Sequence, residues 1–400
     1  MKSRLKIAIY SGAIPSTTFI EHLIHEVAKH HEVLLFGNIK ETPSYANKNI
    51  KIISTPYSKW QYIPLTLWRM MRLLFTHPGR IAAAYKRAKE YPTTYLKVIR
   101  FTRYIAVLLY APDIFHLQWV RRIERWTFLK DVYDCKIMLS LLGTQITIAP
   151  ENDPALAKAY SDHFPRVDEF NAVCSYTAGL SLKYGADQNR VQIRRIPISS
   201  GAFERFRIPG PIDGNPLRIV SVGRFDWVKG YRYGIDAIKI LTDKGISVEY
   251  TIIAQGEQQE ELLFQVHQLG LTDIVKFKPG LDQETLFPEL QHHDALLLPS
   301  VSEGISNAAV ECMALGIPVV GANCGGMNEI IINGESGWLV PVRNPQAFAE
   351  ALENLLGTTP EDMESIIRRA NQIARDQFNM SDRVDEFVRS YEQLANHVIS

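Results

Sequence analysis

The sequence predicts an α/β protein built from two parallel-sheet domains of Rossmann-like type. Short apolar runs alternate with stretches of helical period along the whole chain, the pattern of strand–helix–strand units. The 400 residues are enough for two domains of ordinary size. A turn-rich segment without periodicity, Pro209-Gly-Pro-Ile-Asp-Gly-Asn-Pro216, separates the two series of alternating elements.

In the first series, strands are expected near 5–10, 32–36, 114–117, 136–141, 172–175 and 191–196. The basic start and the apolar run after it have the look of a secretory leader, but that run is short and contains Lys6, so it reads as a first strand. In the second series, strands are expected near 218–222, 249–253, 275–277, 295–298, 319–321 and 337–340. Helical periods fill the gaps, as at 21–30, 257–269 and 382–398. The expected domains are 1–205 and 206–381. No apolar run reaches the ~20 residues that span a bilayer. Cys135, Cys174, Cys312 and Cys324 lack metal or redox spacing and read as buried thiols of a cytoplasmic protein.

The net charge of +1 conceals an asymmetry: residues 1–200 hold 28 basic and 15 acidic residues, residues 201–400 hold 16 and 28. The densest part is 51–110, where eleven basic residues face one acid, Glu90. Aromatics are interleaved, and Trp68, Met71 and Phe75 recur at helical spacing beside Arg69 and Arg72. With Lys86 and Arg87 these residues are expected to meet an anionic membrane surface or an anionic acceptor. The competing reading is a helix packed by its apolar stripe with its arginines solvated. Nothing here matches a nucleic-acid-binding module, and no nucleic acid partner is expected.

The stretch from Ser300 to Pro318 carries most of the chemistry. An apolar strand ends at Pro299, a Ser/Gly loop follows, and a helix begins near Ser306. The unpaired amides of such a helix start form an anion site. Gly304, Ile305, Ser306 and Asn307 supply those amides, with Glu303 in the loop and Glu311 inside the helix. Amides for phosphate beside carboxylates for hydroxyls suit a nucleotide, and in particular a nucleotide-sugar. The loop after Val222-Gly223 brings Arg224 and Lys229 to the carboxyl edge of a sheet, where ligands of such sheets bind. No metal-ligand spacing occurs, so neither a metal nor another cofactor is expected.

The spacing Glu303-x7-Glu311 resembles the signature of the retaining glycosyltransferases of family 4, which have the two-domain GT-B fold with a central cleft. Gly223-Arg224, Lys229-Gly230, Leu298-Pro299-Ser300, Gly316-Ile-Pro-Val-Val, Gly325-Gly326-x-x-Glu329 and Gly334-x-x-Gly337-Trp follow in that family's order. The resemblance covers about 217–343. It implies that Arg224 and Lys229 meet the donor diphosphate, Glu311 the ribose, and Glu303 the donor sugar. Phe277 to Gly280 would lie where the nucleobase is recognised, and Gln255-Gly256-Glu257 would form a pocket wall. It also implies that the last helix, within 382–400, returns to the first domain.

The N-terminal half is similar to the family more loosely. Pro15-Ser-Thr-Thr-Phe-Ile20 resembles a segment of a subgroup acting in bacterial polysaccharide synthesis. Pro112-Asp-Ile-Phe-His116-Leu-Gln118 follows a Pro-Asp-x-x-His-x-His pattern with Gln118 in place of the second histidine, and Leu142 and Gln145 replace two further polar residues. By resemblance His116 would reach the donor sugar or acceptor, and Gly12 would line the cleft. The function implied is a metal-independent hexosyltransferase using a UDP- or GDP-sugar and a glycan or lipid-linked acceptor. It would act in cell-envelope polysaccharide synthesis at the inner face of the membrane. A nucleotide-sugar epimerase and a non-catalytic nucleotide-sugar or glycan-binding protein are the alternatives.

Overall fold

The computed structural model describes residues 4–39, 41, 45–55, 59–256 and 259–396. They form two compact units. One comprises the chain through Ala172, Ala178–Arg194 and the chain from Val384 onward; the other comprises Val173–Thr177 and Arg195–Arg383. The expected boundary at 205/206 thus moves back to Arg195. The physical reason is that Arg195 pairs with Glu329 at 2.5 Å and Ile198 N–H donates to the Phe378 carbonyl at 3.2 Å, both inside the second unit.

The first unit holds strands β1 (Lys6–Tyr10), β2 (Gly12–Ile14), β3 (Glu32–Ile39), β4 (Ile50–Ser54), β5 (Ile114–Leu117), β6 (Lys136–Leu141), β7 (Glu169–Ala172) and β8 (Val191–Ile193). They pair in the order β2-β3-β1-β5-β6-β7-β8, with β4 also on β3, and every pairing is parallel. Both faces of the middle strands are covered, which is why β1, β3, β5 and β6 are mostly apolar. Ile7, Ile9, Val33 and Leu35 pack on one side with Ile20, Leu23, Ile24 and Val27 of the helix Thr18–His30 and with Phe387 and Tyr391 of the helix Met380–Asn396. Ala8, Tyr10, Leu34 and Phe115 pack on the other side with Tyr104, Leu108 and Trp126.

The seventh strand corrects the expectation of 172–175. It lies at Glu169–Ala172, and Ser175 opens a helix. A charged residue concealed it: Glu169, half-buried, pairs with Arg194 and accepts from Ser390 Oγ, both at 2.5 Å. The short strands β2 and β4 had no apolar run to announce them. Glu257 lies outside the described residues; the helix that follows is Gln259–Gln268.

The second unit holds β9 (Leu217–Phe225), β10 (Val248–Gly256), β11 (Val275–Pro279), β12 (Ala295–Leu298), β13 (Val319–Ala322) and β14 (Trp338–Val340) in the order β11-β10-β9-β12-β13-β14. The chain fills one side from β9 outward through β11, then returns to β9 on its other side with β12. The switch point is therefore the β9/β12 pair, and the crevice at its carboxyl ends is where such a sheet takes ligands.

Between β4 and β5 the chain forms three helices, Lys59–Thr76, Pro78–Lys89 and Thr94–Tyr110. The first is turned over relative to a normal amphipathic helix. Tyr62, Thr66, Arg69 and Leu73 face inward, while Ile63, Leu67, Trp68, Met71 and Leu74 are exposed, as are Trp60 at 90% and Phe75 at 84%. Arg69 is only 3% exposed, its Nη2 donates to the Ser54 carbonyl at 3.0 Å, and burial lowers its pKa. This corrects its assignment to a membrane or acceptor face. Arg87 is corrected likewise, since its guanidinium is taken up by Glu90 and the Glu124 carbonyl. Arg72, stacked 5.2 Å over the Trp68 ring, and Lys86 remain at the surface. Among the described residues no helix is long and apolar enough to cross a membrane.

These placements separate two arginines three residues apart. Arg69→Glu puts an unpaired carboxylate where a buried guanidinium sat and is expected to cost about 3 kcal/mol or more. Arg72→Glu should stay within about 0.5 kcal/mol of the parent. Urea unfolding of both variants measures the difference.

Candidate functional site

The site is built by loops leaving the carboxyl ends of β9, β12 and β13. At the end of β9, Asp226 caps a short turn by accepting from Val228 N–H at 3.2 Å, and Gly230 closes it at φ 63°. A Cβ at residue 230 would lie 2.1 Å from the Pro299 carbonyl oxygen, so only glycine lets this turn rest on the end of β12. Val301 N–H then donates to the Val228 carbonyl at 2.7 Å. With the two loops joined by backbone, Lys229 Nζ lies 2.6 Å from Glu303 Oε1, and Ser300 Oγ donates to the same oxygen at 2.9 Å. The two side chains are 17% and 13% exposed, so the pair is largely withdrawn from solvent.

The loop after β13 holds the other side of Glu303. Gly326 N–H donates to the Gly304 carbonyl at 2.7 Å. Gly325, at φ 58°, passes so close that a Cβ would be 1.8 Å from the Glu303 carbonyl oxygen. Glu329 anchors this loop by accepting from Ser175 N–H at 2.8 Å and from Arg195. The helix Asn307–Leu315 starts here. Its N-cap, Ser306, is buried and makes no side-chain cap bond, which leaves the first-turn amides to other acceptors. Gly304, Ile305, Ser306 and Asn307 thus surround a helix start with no carboxylate capping it.

Glu311 lies one turn deeper and is 8% exposed. Its Oε1 accepts from Gln283 Nε2 at 2.8 Å, and burial pushes its pKa up to about 7. Gln283 is absent from the sequence expectations. It begins the helix Gln283–Leu290, which Asp282 caps by accepting from Thr285 N–H at 2.9 Å. That capping signal is legible in the sequence; the side chain it delivers to Glu311 is not.

Gly223 and Arg224 end β9. The Arg224 side chain is 67% exposed, and Asp226 stands 3.7 Å from it. Gly223 leaves room for Tyr231, whose hydroxyl would be 2.8 Å from a Cβ there. That hydroxyl is buried without a hydrogen-bond partner. Phe277, on β11, is half-buried against Phe225 with ring centroids 6.1 Å apart. Gln255 lies over Gly280, its Nε2 at 2.5 Å from the position a Cβ would take.

His116 belongs to the core of the first unit, which corrects its catalytic assignment. It is fully buried in β5, with Nδ1 2.6 Å from Tyr391 Oη and Nε2 2.8 Å from Ser140 Oγ. Gln118 Nε2 lies 3.2 Å from Nδ1. Burial, and next the Arg194 charge, lower its pKa to about 3. Both nitrogens are thus committed in a middle strand, and the ring packs against the helix Met380–Asn396. Gly12 opens β2 at φ 86° and faces Gly37 of β3 in the same unit. Among the described residues no cluster of three or more His, Cys, Asp or Glu side chains could hold a metal, and all four cysteines are buried and unpaired.

The Glu311 shift sets a direction for stability. A carboxyl raised from 4.5 to about 7 on folding favours the folded state while protonated. It penalises folding progressively as pH rises from about 4.5, and the penalty levels off above about 7. Glu311→Gln keeps the shape and removes the charge. The variant should gain about 3 kcal/mol over the parent on going from pH 4 to pH 8, measured by denaturant unfolding at both pH values.

Residues 202–373 match the model of the group 1 glycosyl transferases. The chain is 31% identical over 229 residues to WcaL of Salmonella typhimurium, which carries the name of a colanic acid biosynthesis glycosyltransferase; the match spans 55% of each chain. It is 30% identical over 268 residues to the amylovoran biosynthesis glycosyltransferase AmsK of Erwinia amylovora, over 64% of this chain and 65% of that one. The chain thus spans between half and two thirds of the length of these two relatives. Anabaena HepE, crystallised in complex with UDP, superposes with a TM-score of 0.70 at 16% identity, over 98% of this chain and 100% of that one. The fold is that of the GT-B glycosyltransferases, and Arg224, Lys229, Glu303 and Glu311 all lie within the matched residues 202–373.

Proposed function

We propose that the protein is a retaining glycosyltransferase that moves a hexose from a UDP- or GDP-sugar to a glycan or lipid-linked acceptor, without a metal. The observation that carries this reading is the assembly at the β9/β12 switch point. A withdrawn Lys229–Glu303 pair, an open helix start and a buried carboxylate converge there on one crevice edge. Transfer builds negative charge on the departing diphosphate, and fixed cations and amides stabilise that charge better than water does. Arg224, Lys229 and the amides from Gly304 to Asn307 take this role. Glu303 orients Lys229 and accepts from donor-sugar hydroxyls, while Glu311, once ionised, accepts from a ribose diol. The acceptor hydroxyl attacks from the face the diphosphate leaves. UDP in the complex with HepE, and the polysaccharide-synthesis names of WcaL and AmsK, support the donor class and the setting in cell-envelope synthesis.

The first unit would carry the acceptor and rest on the cytoplasmic face of the membrane. Trp60, Leu67, Trp68, Met71, Leu74 and Phe75 form an exposed apolar stripe, and Arg72 and Lys86 lie among the exposed residues of the same helices. Apolar anchors beside cations suit an anionic bilayer. Trp60→Ser with Phe75→Ser should lower binding to phosphatidylglycerol vesicles at least tenfold in a sedimentation assay and leave nucleotide binding intact.

Thermal stabilisation by UDP, GDP, ADP and their sugars tests the donor site. A ligand of the native state at a hundredfold excess over Kd stabilises by about 2.7 kcal/mol. The shift should appear with one base and vanish in Glu311→Ala. Turnover with that donor should fall about 10²–10³-fold in Arg224→Ala with stability unchanged. Lys229→Ala should also lose about 3–5 kcal/mol of stability, because it strands Glu303. Isomerisation of the donor without acceptor would make the protein an epimerase. Donor binding without any turnover would make it a binding protein.

A further inference from the structure

The three helices between β4 and β5 enclose a groove of about 560 Å³, inside the range of small-molecule sites. Ile63, Leu67, Met70, Val98 and Phe101 supply much of its wall, and Lys89 and Lys97 are its charged residues; no carboxylate lines it. Two hydroxyls in the lining are already used. Thr66 Oγ1 donates to the Tyr62 carbonyl at 2.6 Å and Thr102 Oγ1 to the Val98 carbonyl at 3.0 Å, each within its own helix. With those two turned back on their own helices, the groove keeps the Tyr62 and Tyr85 hydroxyls as its other polar side-chain groups beside the lysines. It offers apolar surface along its length and two ammonium groups.

Ile63 and Leu67 belong both to the groove and to the exposed stripe of the helix Lys59–Thr76. An apolar chain could pass from that stripe into the groove without crossing a polar barrier. A bilayer is too broad to enter, whereas one chain fits. We propose that this groove binds a single alkyl or isoprenoid chain whose phosphate headgroup is held by Lys89 and Lys97. The proposal deepens the reading of the first unit as the side of a lipid-linked acceptor and rests on it.

Binding of farnesyl phosphate to the full chain, measured by calorimetry without nucleotide, tests this directly. Farnesyl phosphate should bind at micromolar concentration and farnesol at least tenfold more weakly. Val98→Trp, which fills the groove from an exposed position, should weaken farnesyl phosphate at least tenfold. Lys89→Glu with Lys97→Glu, at one exposed and one half-buried position, should do the same. Both variants should keep the parent's melting temperature and nucleotide shift. No binding of farnesyl phosphate, equal binding of farnesol, or indifference to Val98→Trp would overturn the proposal. Because no donor is present, failure here leaves the glycosyltransferase reading standing. Absence of nucleotide binding would remove that reading without touching the groove.

Discussion

The second unit depends on backbone contact between loops. Gly230 rests on the Pro299 carbonyl, and Gly325 and Gly326 rest on Glu303 and Gly304. These approaches are too close for any Cβ, and they hold three loops at one edge of the sheet. Once they are made, the Lys229–Glu303 pair follows with little left to arrange. The ordering entropy of two long side chains is then met largely by the scaffold, which is how a site becomes organised before a ligand arrives.

Charge is treated in opposite ways at the two glutamates. Glu303 keeps a cation and a hydroxyl, so its charge is matched within the protein. Glu311 has only an amide donor and is buried, so its charge is held at a cost that a ligand's hydroxyls can offset. A carboxylate whose ionisation is unfavourable until a partner supplies donors favours ligands that bring them. One glutamate is thus paired within the protein, and the other is buried beside a single amide donor.

The first unit uses burial differently. His116, which looks like a catalytic residue in its motif, is consumed in fastening the strand to Tyr391 of the last helix. Arg69, which looks like part of a basic surface, is consumed in fastening a helix to the end of β4. Both residue types are costly to bury and are buried here with partners, so each ties an element to one position. The apolar side chains that would ordinarily occupy those inward positions are left outside. The helix Lys59–Thr76 therefore presents an apolar surface outward.

The sequence by itself determined the α/β class, most strands of both sheets and the order of residues around the candidate site. It could do so because buried parallel strands are continuous apolar runs, and because loops that need close backbone approach must contain glycine. The charged strand at Glu169 escaped notice, since its partners Arg194 and Ser390 are distant in the chain. The same distance hid Gln283 beside Glu311. Only the tertiary structure decided which way the helix Lys59–Thr76 faces and whether His116 meets solvent. Periodicity fixes which residues share a face, but which face is buried depends on what the rest of the fold sets against it.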